Sequence, residues 1–182
     1  TIDYVKAFNS NEDYQCGSAV ALSGDGSTLA VGATGENSAA KGINGVAKGS
    51  AIYSGAVYVY TRSATGWKQQ AYVKASNTAE GAQFGAALAL NSDGNVLIVG
   101  SPGESSAAMG VNGNQDDRSM DSAGAVYVYT RSGAAWSQQA YLKASNTGEP
   151  EVGYTFGAAV ALSSNATTLA VGSASESSAA TG

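Results

Sequence analysis

The 182-residue chain contains no histidine, one cysteine and two prolines. Without histidine, a Ser-His-Asp or Cys-His catalytic group, histidine-ligated zinc or haem, and imidazole acid–base catalysis are excluded within these residues. The single cysteine, Cys16, has no second thiol with which to form an internal disulfide. These absences narrow the chemistry open to the chain. We expect that it is not an enzyme and that it has no catalytic residue.

Charge of either sign and long hydrophobic runs are also scarce. The formal net charge is −5 and 13% of the residues are charged. This composition lacks the basic footprint that binds nucleic acid or an anionic membrane. No apolar run reaches the length that crosses a bilayer. We therefore expect neither nucleic-acid binding nor membrane insertion, and the mildly acidic composition fits a soluble or secreted protein.

An internal repeat dominates what is present. Residues 55–63 return unchanged as residues 124–132, and residues 4–7 (Tyr-Val-Lys-Ala) return as residues 72–75 and, with one Val→Leu difference, as residues 141–144. The repeat is about 68 residues long, so the chain holds fewer than three copies. It begins inside one copy and stops inside another, and we expect that translation did not begin at its first residue.

Each copy is predicted to form short β-strands. The apolar runs are rich in Val and Tyr and bounded by Gly and Ser, which is typical of strands buried on both faces. Asp-Gly pairs at Asp25 and Asp93 predict tight hairpins, and no segment has the 3.6-residue period of a helix. We predict an all-β fold with strands at residues 2–7, 16–23, 28–33, 55–62, 67–75, 85–90, 96–101, 124–131, 136–144, 157–163 and 168–173.

Four consecutive antiparallel strands at this period predict the blades of a β-propeller. Residues 1–9 are predicted to be the outer strand of a preceding blade, residues 10–78 and 79–147 two blades, and residues 148–182 the first half of a third. About 2.5 blades would leave two blade faces uncovered. We expect the chain to be part of a larger propeller. The alternative is a ring or filament in which copies of the chain complete one another.

These features resemble the FG-GAP repeat family, the bacterial and integrin-α-like β-propellers. The family pairs a Phe-Gly at the first strand of a repeat with a Gly-Ala-Pro after the second. The resemblance implies an extracellular or cell-surface module for protein binding, adhesion or structural assembly. The corresponding pairs here are Phe84-Gly85 with Gly100-Ser101-Pro102, Phe156-Gly157 with Gly172-Ser173-Ala174, and Cys16-Gly17 with Gly32-Ala33-Thr34.

Two positions depart from the family pattern. Cys16 stands where the other copies have phenylalanine, so we expect a buried, inert thiol. Integrin-type blades often carry a calcium loop with several aspartates between their first two strands. Here the hairpin of the first copy has one aspartate, Asp25, that of the second copy has one, Asp93, and that of the third copy has none. Calcium takes six to eight oxygen ligands. We expect these two aspartates to form turns.

The long loops at residues 34–54 and 102–123 are the candidate sites. The resemblance implies that they share one propeller face, the partner-binding face of integrins, with the segments leading into each repeat. We expect the recurrent glutamates to accept hydrogen bonds from loop N–H groups and the Asn-Gly pairs to form turns. The recurrent residues are Glu36, Glu104, Glu176, Asn44 and Asn112.

The alternative for the second loop is a site for a hard cation, for which calcium is the candidate. The oxygens for that site would come from Asn112, Asn114, Asp116, Asp117 and Asp121.

Other functions stay open at the sequence level. Trp67 and Trp136 follow turns, where they either pack on the blade edge or form aromatic platforms for a glycan. Arg62 and Arg131 lie at strand ends, where we expect them to be solvated. The chain could also be the non-catalytic propeller part of a larger secreted hydrolase or lyase. Asn165 begins an N-glycosylation sequon.

Overall fold

The computed structural model describes residues 3–147 and 154–175. Within these ranges the chain forms three antiparallel sheets, in each of which the strands lie in chain order. The described residues contain no α-helix and one 3-10 turn, at Glu12–Tyr14, so the predicted all-β fold is confirmed. The first sheet contains β1 (Cys16–Leu22), β2 (Thr28–Ala33), β3 (Ala56–Ser63) and β4 (Gly66–Val73). The second contains β5 (Ala87–Leu90), β6 (Val96–Ser101), β7 (Ala125–Ser132) and β8 (Ala135–Leu142), and the third contains β9 (Phe156–Leu162) and β10 (Leu169–Ser173).

These sheets of four, four and two strands are partial propeller blades, here called the first blade, the second blade and the half-blade. Ten of the eleven predicted strands are present, with ends displaced by at most two residues. The predicted outer strand at residues 2–7 is wrong, because residues 3–7 have no regular secondary structure; its first residue lies outside the described part of the chain. A β-strand requires hydrogen bonds to a neighbouring strand. The outer strand of a blade pairs with the third strand of the same blade, and the described chain contains no such strand beside residues 3–7.

The core lies between blades. Val57 and Val73 of the first blade share one buried cluster with Leu97 and Tyr127 of the second. The ring of Phe84, just before β5, meets the edge of Tyr127 at 5.2 Å between ring centroids. The third strands have no polar face because both of their faces are covered, as their uniformly apolar sequence predicts.

Glycines let the blades approach one another. A Cβ atom on Gly32 would lie 2.2 Å from the carbonyl oxygen of Gly85, and one on Gly100 would lie 2.0 Å from that of Gly157. The glycine that follows the first strand's phenylalanine therefore packs on the glycine that ends the second strand of the preceding blade. This contact is the physical reason why both motifs carry a glycine.

One face of the first blade is open. Val20 and Leu22 on β1 are 65% and 57% exposed, whereas their counterparts Leu88 and Leu90 pack against the core shared by the two blades. Cys16 lies on the same strand and is exposed, so its predicted burial is wrong. The described chain places no blade against this face, while Phe84, the residue at the equivalent position, is covered by the first blade. Desolvation of the sulfur nevertheless raises the pKa of the Cys16 thiol, which favours the unreactive neutral form.

Candidate functional site: the loop end of the blades

The two long loops leave their sheets at the same end and meet the segments that lead into the next sheet. The backbone N–H groups of Gly81 and Gln83 donate to the carbonyl oxygens of Ile52 and Tyr53, at 2.8 and 2.9 Å. At the second loop, the N–H groups of Thr155 and Phe156 donate in the same way to the carbonyl oxygens of Ser122 and Ala123, at 2.9 and 3.3 Å. The expected common face of loops and leading segments is therefore present, and it is called the loop end below.

The recurrent asparagines tie each loop to the outer strand of its own blade. Asn44 donates its backbone N–H to the carbonyl oxygen of Tyr72 (2.7 Å) and accepts the Tyr72 N–H on its side-chain Oδ1 (2.9 Å). Asn112 makes the same two bonds to Tyr141, at 2.7 and 2.9 Å. Both asparagines have φ near +55° (54° and 56°), as expected for a turn. The sequence predicts the turn but not the strand-like pairing of the side chain.

Each described loop glutamate forms a buried ion pair. Glu36 Oε2 lies 2.6 Å from Lys74 Nζ, and Glu104 Oε2 lies 2.7 Å from Lys143 Nζ, with all four side chains essentially inaccessible to solvent. Burial lowers the pKa of both lysines, and the facing carboxylate opposes that shift. Glu176, the third recurrent glutamate, lies outside the described residues.

The predicted bonds from loop N–H groups are also present. Glu36 accepts the N–H of Ser38, and Glu104 that of Ser106, each at 3.2 Å. Sequence reasoning missed the lysine partners, although a signal exists: a lysine recurs directly after a Tyr-Val or Tyr-Leu pair, as Lys6, Lys74 and Lys143. A buried charge that recurs in this way indicates a buried partner.

A second set of asparagines joins neighbouring repeats at the same glutamates. Asn77 lies three residues after Lys74; its Nδ2 donates to Glu104 Oε1 at 2.9 Å, and its Oδ1 accepts the hydroxyl of Tyr127 at 2.5 Å. Asn9 makes the equivalent bonds to Glu36 and Tyr58, at 3.2 and 2.7 Å. Each of these glutamates thus receives a lysine from its own blade and an asparagine from the segment that leads into that blade. The Lys-x-x-Asn spacing would have revealed this connection in the sequence.

The polar residues of the second loop do not assemble into a cation site. Within residues 3–147 and 154–175 no three Asp, Glu, Cys or His side chains converge to hold a metal ion. Asn112 Oδ1 is bonded to Tyr141, and Asn114 Oδ1 accepts the N–H of Asp116 at 3.1 Å. Asn112 Oδ1 thus serves the backbone of β8 and Asn114 Oδ1 that of the loop, which does not support the cation alternative. Asp116 and Asp121 are exposed.

Asp117 also turns inward on its loop. Its Oδ1 accepts the N–H of Ser119 at 2.9 Å and its Oδ2 that of Ala107 at 3.2 Å. The hydroxyl of Ser119 and these N–H groups lower the pKa of the Asp117 carboxyl. Asp117 therefore remains an ionised acceptor that closes the loop on itself.

The tryptophans lie at the end of the blades opposite the long loops. Trp136 is 7% exposed, its indole N–H donates to Gln70 at 2.9 Å, and the Arg131 guanidinium lies 5.3 Å from its ring centroid. Trp67 packs against the first-blade core. Trp136 is therefore not a glycan platform, because its faces are occupied. The expectation of solvation holds for Arg62, which is exposed, and is wrong for Arg131.

Arg131 bridges the two blades. It donates to Asn95 of its own blade at 3.0 Å, and to Gln70 and Thr28 of the first blade at 3.2 and 3.1 Å. Arg62 is its repeat counterpart on the open side of the first blade. The sequence cannot distinguish these two arginines, since the difference lies in what packs beside them.

The hairpin polar residues act as turn formers. Asp25 accepts the Ser23 hydroxyl at 2.6 Å and the Ser27 N–H at 2.9 Å, and these bonds lower the pKa of its carboxyl. The N–H of Asn95 lowers the pKa of Asp93 in the same way. Asn165 is exposed in the hairpin between β9 and β10, where its side chain accepts the Thr167 hydroxyl at 2.8 Å.

Comparison with protein families identifies this arrangement. Residues 67–129 match the family model of the FG-GAP repeat. The match runs from β4 of the first blade through most of β7 of the second, and the predicted resemblance is confirmed over that range. Comparison with curated proteins gave no match.

FG-GAP repeats suggest a propeller-like module of a kind often involved in binding, and they commonly occur in extracellular proteins. In the described part of the chain, no helix has both the length and the apolar character needed to cross a membrane.

Proposed function

We propose that the chain is a protein-binding module of an extracellular or cell-surface β-propeller and that its loop end contacts the partner. The observation that carries this proposal is the distribution of exposed apolar side chains. Of the nine large hydrophobic side chains that the described residues expose, five lie in the two long loops. These are Val46, Ile52, Tyr53, Met109 and Val111.

The loops that bear these side chains are anchored rather than loose. The buried Lys74–Glu36 and Lys143–Glu104 pairs hold each loop from below, and the asparagine clamps hold it to the outer strand. An apolar group on an anchored loop loses little conformational entropy on binding. Loops positioned by a rigid scaffold are the usual location of recognition residues.

Polar side chains border the exposed apolar ones. Lys41 and Lys48 in the first loop and Asp116 and Asp121 in the second are exposed. An apolar centre with a charged border is the general form of a protein–protein recognition surface. This chemistry favours a protein partner over a glycan, since both tryptophans lie at the opposite end, where Trp136 is buried and Trp67 packs against the first-blade core.

The test uses a displayed library of random peptides as the probe and the intact chain as the target. We expect selected peptides to bind the wild-type chain and to lose at least tenfold in affinity with Met109→Ser/Val111→Ser, because truncating a central interface residue costs about 2 kcal/mol or more. Ala64→Ser is the matched control, since Ala64 is exposed in a turn at the opposite end. Peptides that bind both variants equally would contradict the proposal, and binding to a glycan array instead would favour the carbohydrate alternative.

Self-assembly is a second candidate function, favoured by the open face of the first blade. The four other exposed large hydrophobic side chains in the described residues lie on or before this blade: Tyr4, Phe8, Val20 and Leu22. Tyr4 is 85% exposed, whereas its repeat counterpart Tyr72 is 2% exposed. Native mass spectrometry tests this candidate. A multiple of 18.1 kDa that Leu22→Lys abolishes would support it, and a monomer at high concentration would contradict it.

A further inference from the structure

The second loop is bonded to the repeat that precedes it. Asn77 Nδ2 donates to the carbonyl oxygen of Gln115 at 2.9 Å, and the Arg118 guanidinium donates back to the Asn77 carbonyl oxygen at 2.6 Å. The hydroxyl of Ser76 is hydrogen-bonded to the side chain of Gln115. Ser76 and Asn77 follow β4, the outer strand of the first blade, so these bonds cross from one blade to the next.

The same asparagine reaches the buried pair beneath the loop. Its carboxamide donates to Glu104 and accepts from Tyr127, and Glu104 in turn accepts the N–H of Ser106, inside the loop. Asn77 is itself buried. Asn77 therefore contacts the loop in two ways. It bonds Gln115 and Arg118, here called the side contacts, and it bonds the buried Glu104, here called the contact from below.

We infer that Asn77 is a positioning residue that sets the shape of the second loop from the preceding blade, so that the loop end presents a surface shared by two blades. The inference deepens the proposed function, on which its consequence for recognition rests. The coupling itself requires no partner and can be measured without one.

The first loop lacks half of this connection and provides the comparison. Asn9 bonds Glu36 and Tyr58 as Asn77 bonds Glu104 and Tyr127. However, the first loop has Ala47 where the second has Gln115, and residues 34–54 contain no arginine. The side contacts therefore belong to the second loop alone, whereas the contact from below is common to both.

Hydrogen exchange of the intact chain, read by mass spectrometry, tests the inference. With Asn77→Ala we expect about tenfold to hundredfold faster exchange at loop amides that report closure, because hydrogen bonds to a charged group are lost. The reporting amides are those of Ser106, Ala107 and Met120, which donate to Glu104, Asp117 and Ser105. Amides of residues 34–54 and of the β6–β7 ladder should change far less.

Asn9→Ala is the matched control and should reverse the pattern. Exchange should become faster at Ser38 in the first loop and should stay unchanged in the second loop. Acceleration that is uniform over the chain with Asn77→Ala, or no acceleration in residues 104–120, would overturn the inference. If Asn77→Ala does not fold, Arg118→Ala replaces it, because removing this exposed side chain breaks only the hydrogen bond to Asn77 across the blade boundary. Unchanged amide exchange at Asp116 and Ser119 would then overturn the inference. Failure of peptide binding would count against the proposed function and leave the exchange result standing.

Discussion

At the scale of single residues, the loop end depends on charges that the protein buries in pairs. Lys143 and Glu104 lie 2.7 Å apart without solvent access. A buried pair contributes little net stability, but a buried charge that loses its partner is strongly destabilising. These residues therefore act chiefly by specifying one loop arrangement, since any alternative would leave a charge unpaired in the interior.

We predict that Lys143→Met lowers the free energy of unfolding by about 3–5 kcal/mol, because Glu104 remains buried without its counter-charge. Adding Glu104→Gln should recover part of this loss, since the amide keeps hydrogen-bonding atoms but carries no charge. Urea denaturation curves of the single and double variants measure both effects. Lys68→Met, at an exposed position of β4, is the control and should change stability by less than about 0.5 kcal/mol. A double variant that is less stable than Lys143→Met would refute the charge argument.

At the scale of strands and blades, contact between blades relies on the absence of side chains. The carbonyl oxygen of Gly157, at the start of the half-blade, lies where a side chain at Gly100 on β6 would have to be. Arg131 spans the other boundary, between the first and second blades, through its bonds to Gln70 and Thr28. Contact between blades thus combines a close backbone approach with side-chain hydrogen bonds.

We predict that Gly100→Ala destabilises the chain by about 1–3 kcal/mol or more, because the new Cβ would overlap backbone that cannot rotate away. Gly172→Ala is the matched control: it occupies the equivalent position in the half-blade, where the nearest atom to a new Cβ is 3.3 Å away. Neither glycine has a left-handed φ, so backbone strain does not separate the two substitutions. Thermal unfolding of both variants checks the prediction, and equal losses would show that contact between blades is not the cause.

At the scale of the whole molecule, buried tyrosines make stability depend on alkaline pH. Desolvation raises the pKa of Tyr60 from 10.0 to about 12. It also raises the pKa of five further core tyrosines, namely Tyr58, Tyr72, Tyr127, Tyr129 and Tyr141. The unfolded chain loses these protons at lower pH than the folded chain does.

We therefore predict that the tyrosine contribution to stability is complete below about pH 10 and is lost as the pH rises above it. The two buried lysines have lowered pKa values and act in the opposite sense, but the tyrosines outnumber them. Urea midpoints measured from about pH 8 to about pH 11 should be level and then fall, and tyrosinate absorbance should appear together with unfolding. Tyrosines that ionise near pH 10 in a chain that remains folded would contradict this.

The repeat made most of the fold predictable. Strand positions, the four-strand unit and the FG-GAP resemblance all follow from recurring Val/Tyr runs and paired glycine motifs. The outer strand at residues 2–7 and the burial of Cys16 were wrong for one reason, which is that a repeat predicts a residue's environment only where its neighbouring blade is present. The site was less predictable: Glu36 and Glu104 stood out by recurrence, but their lysine and asparagine partners lie 27 to 39 positions away.

The sequence by itself determined which residues recur and which chemistry is absent, because both are properties of the chain that need no neighbours in space. The tertiary structure decided what each recurrent residue does. Arg62 and Arg131 occupy the same place in identical strands, yet Arg62 is exposed and Arg131 binds across a blade boundary. The side-chain oxygens of Asn114 and Asp117 accept loop N–H groups, and that of Asn112 accepts the N–H of Tyr141 on β8, rather than gathering around an ion. Identical residues diverge in this way because burial, pairing and exposure depend on which surfaces pack together.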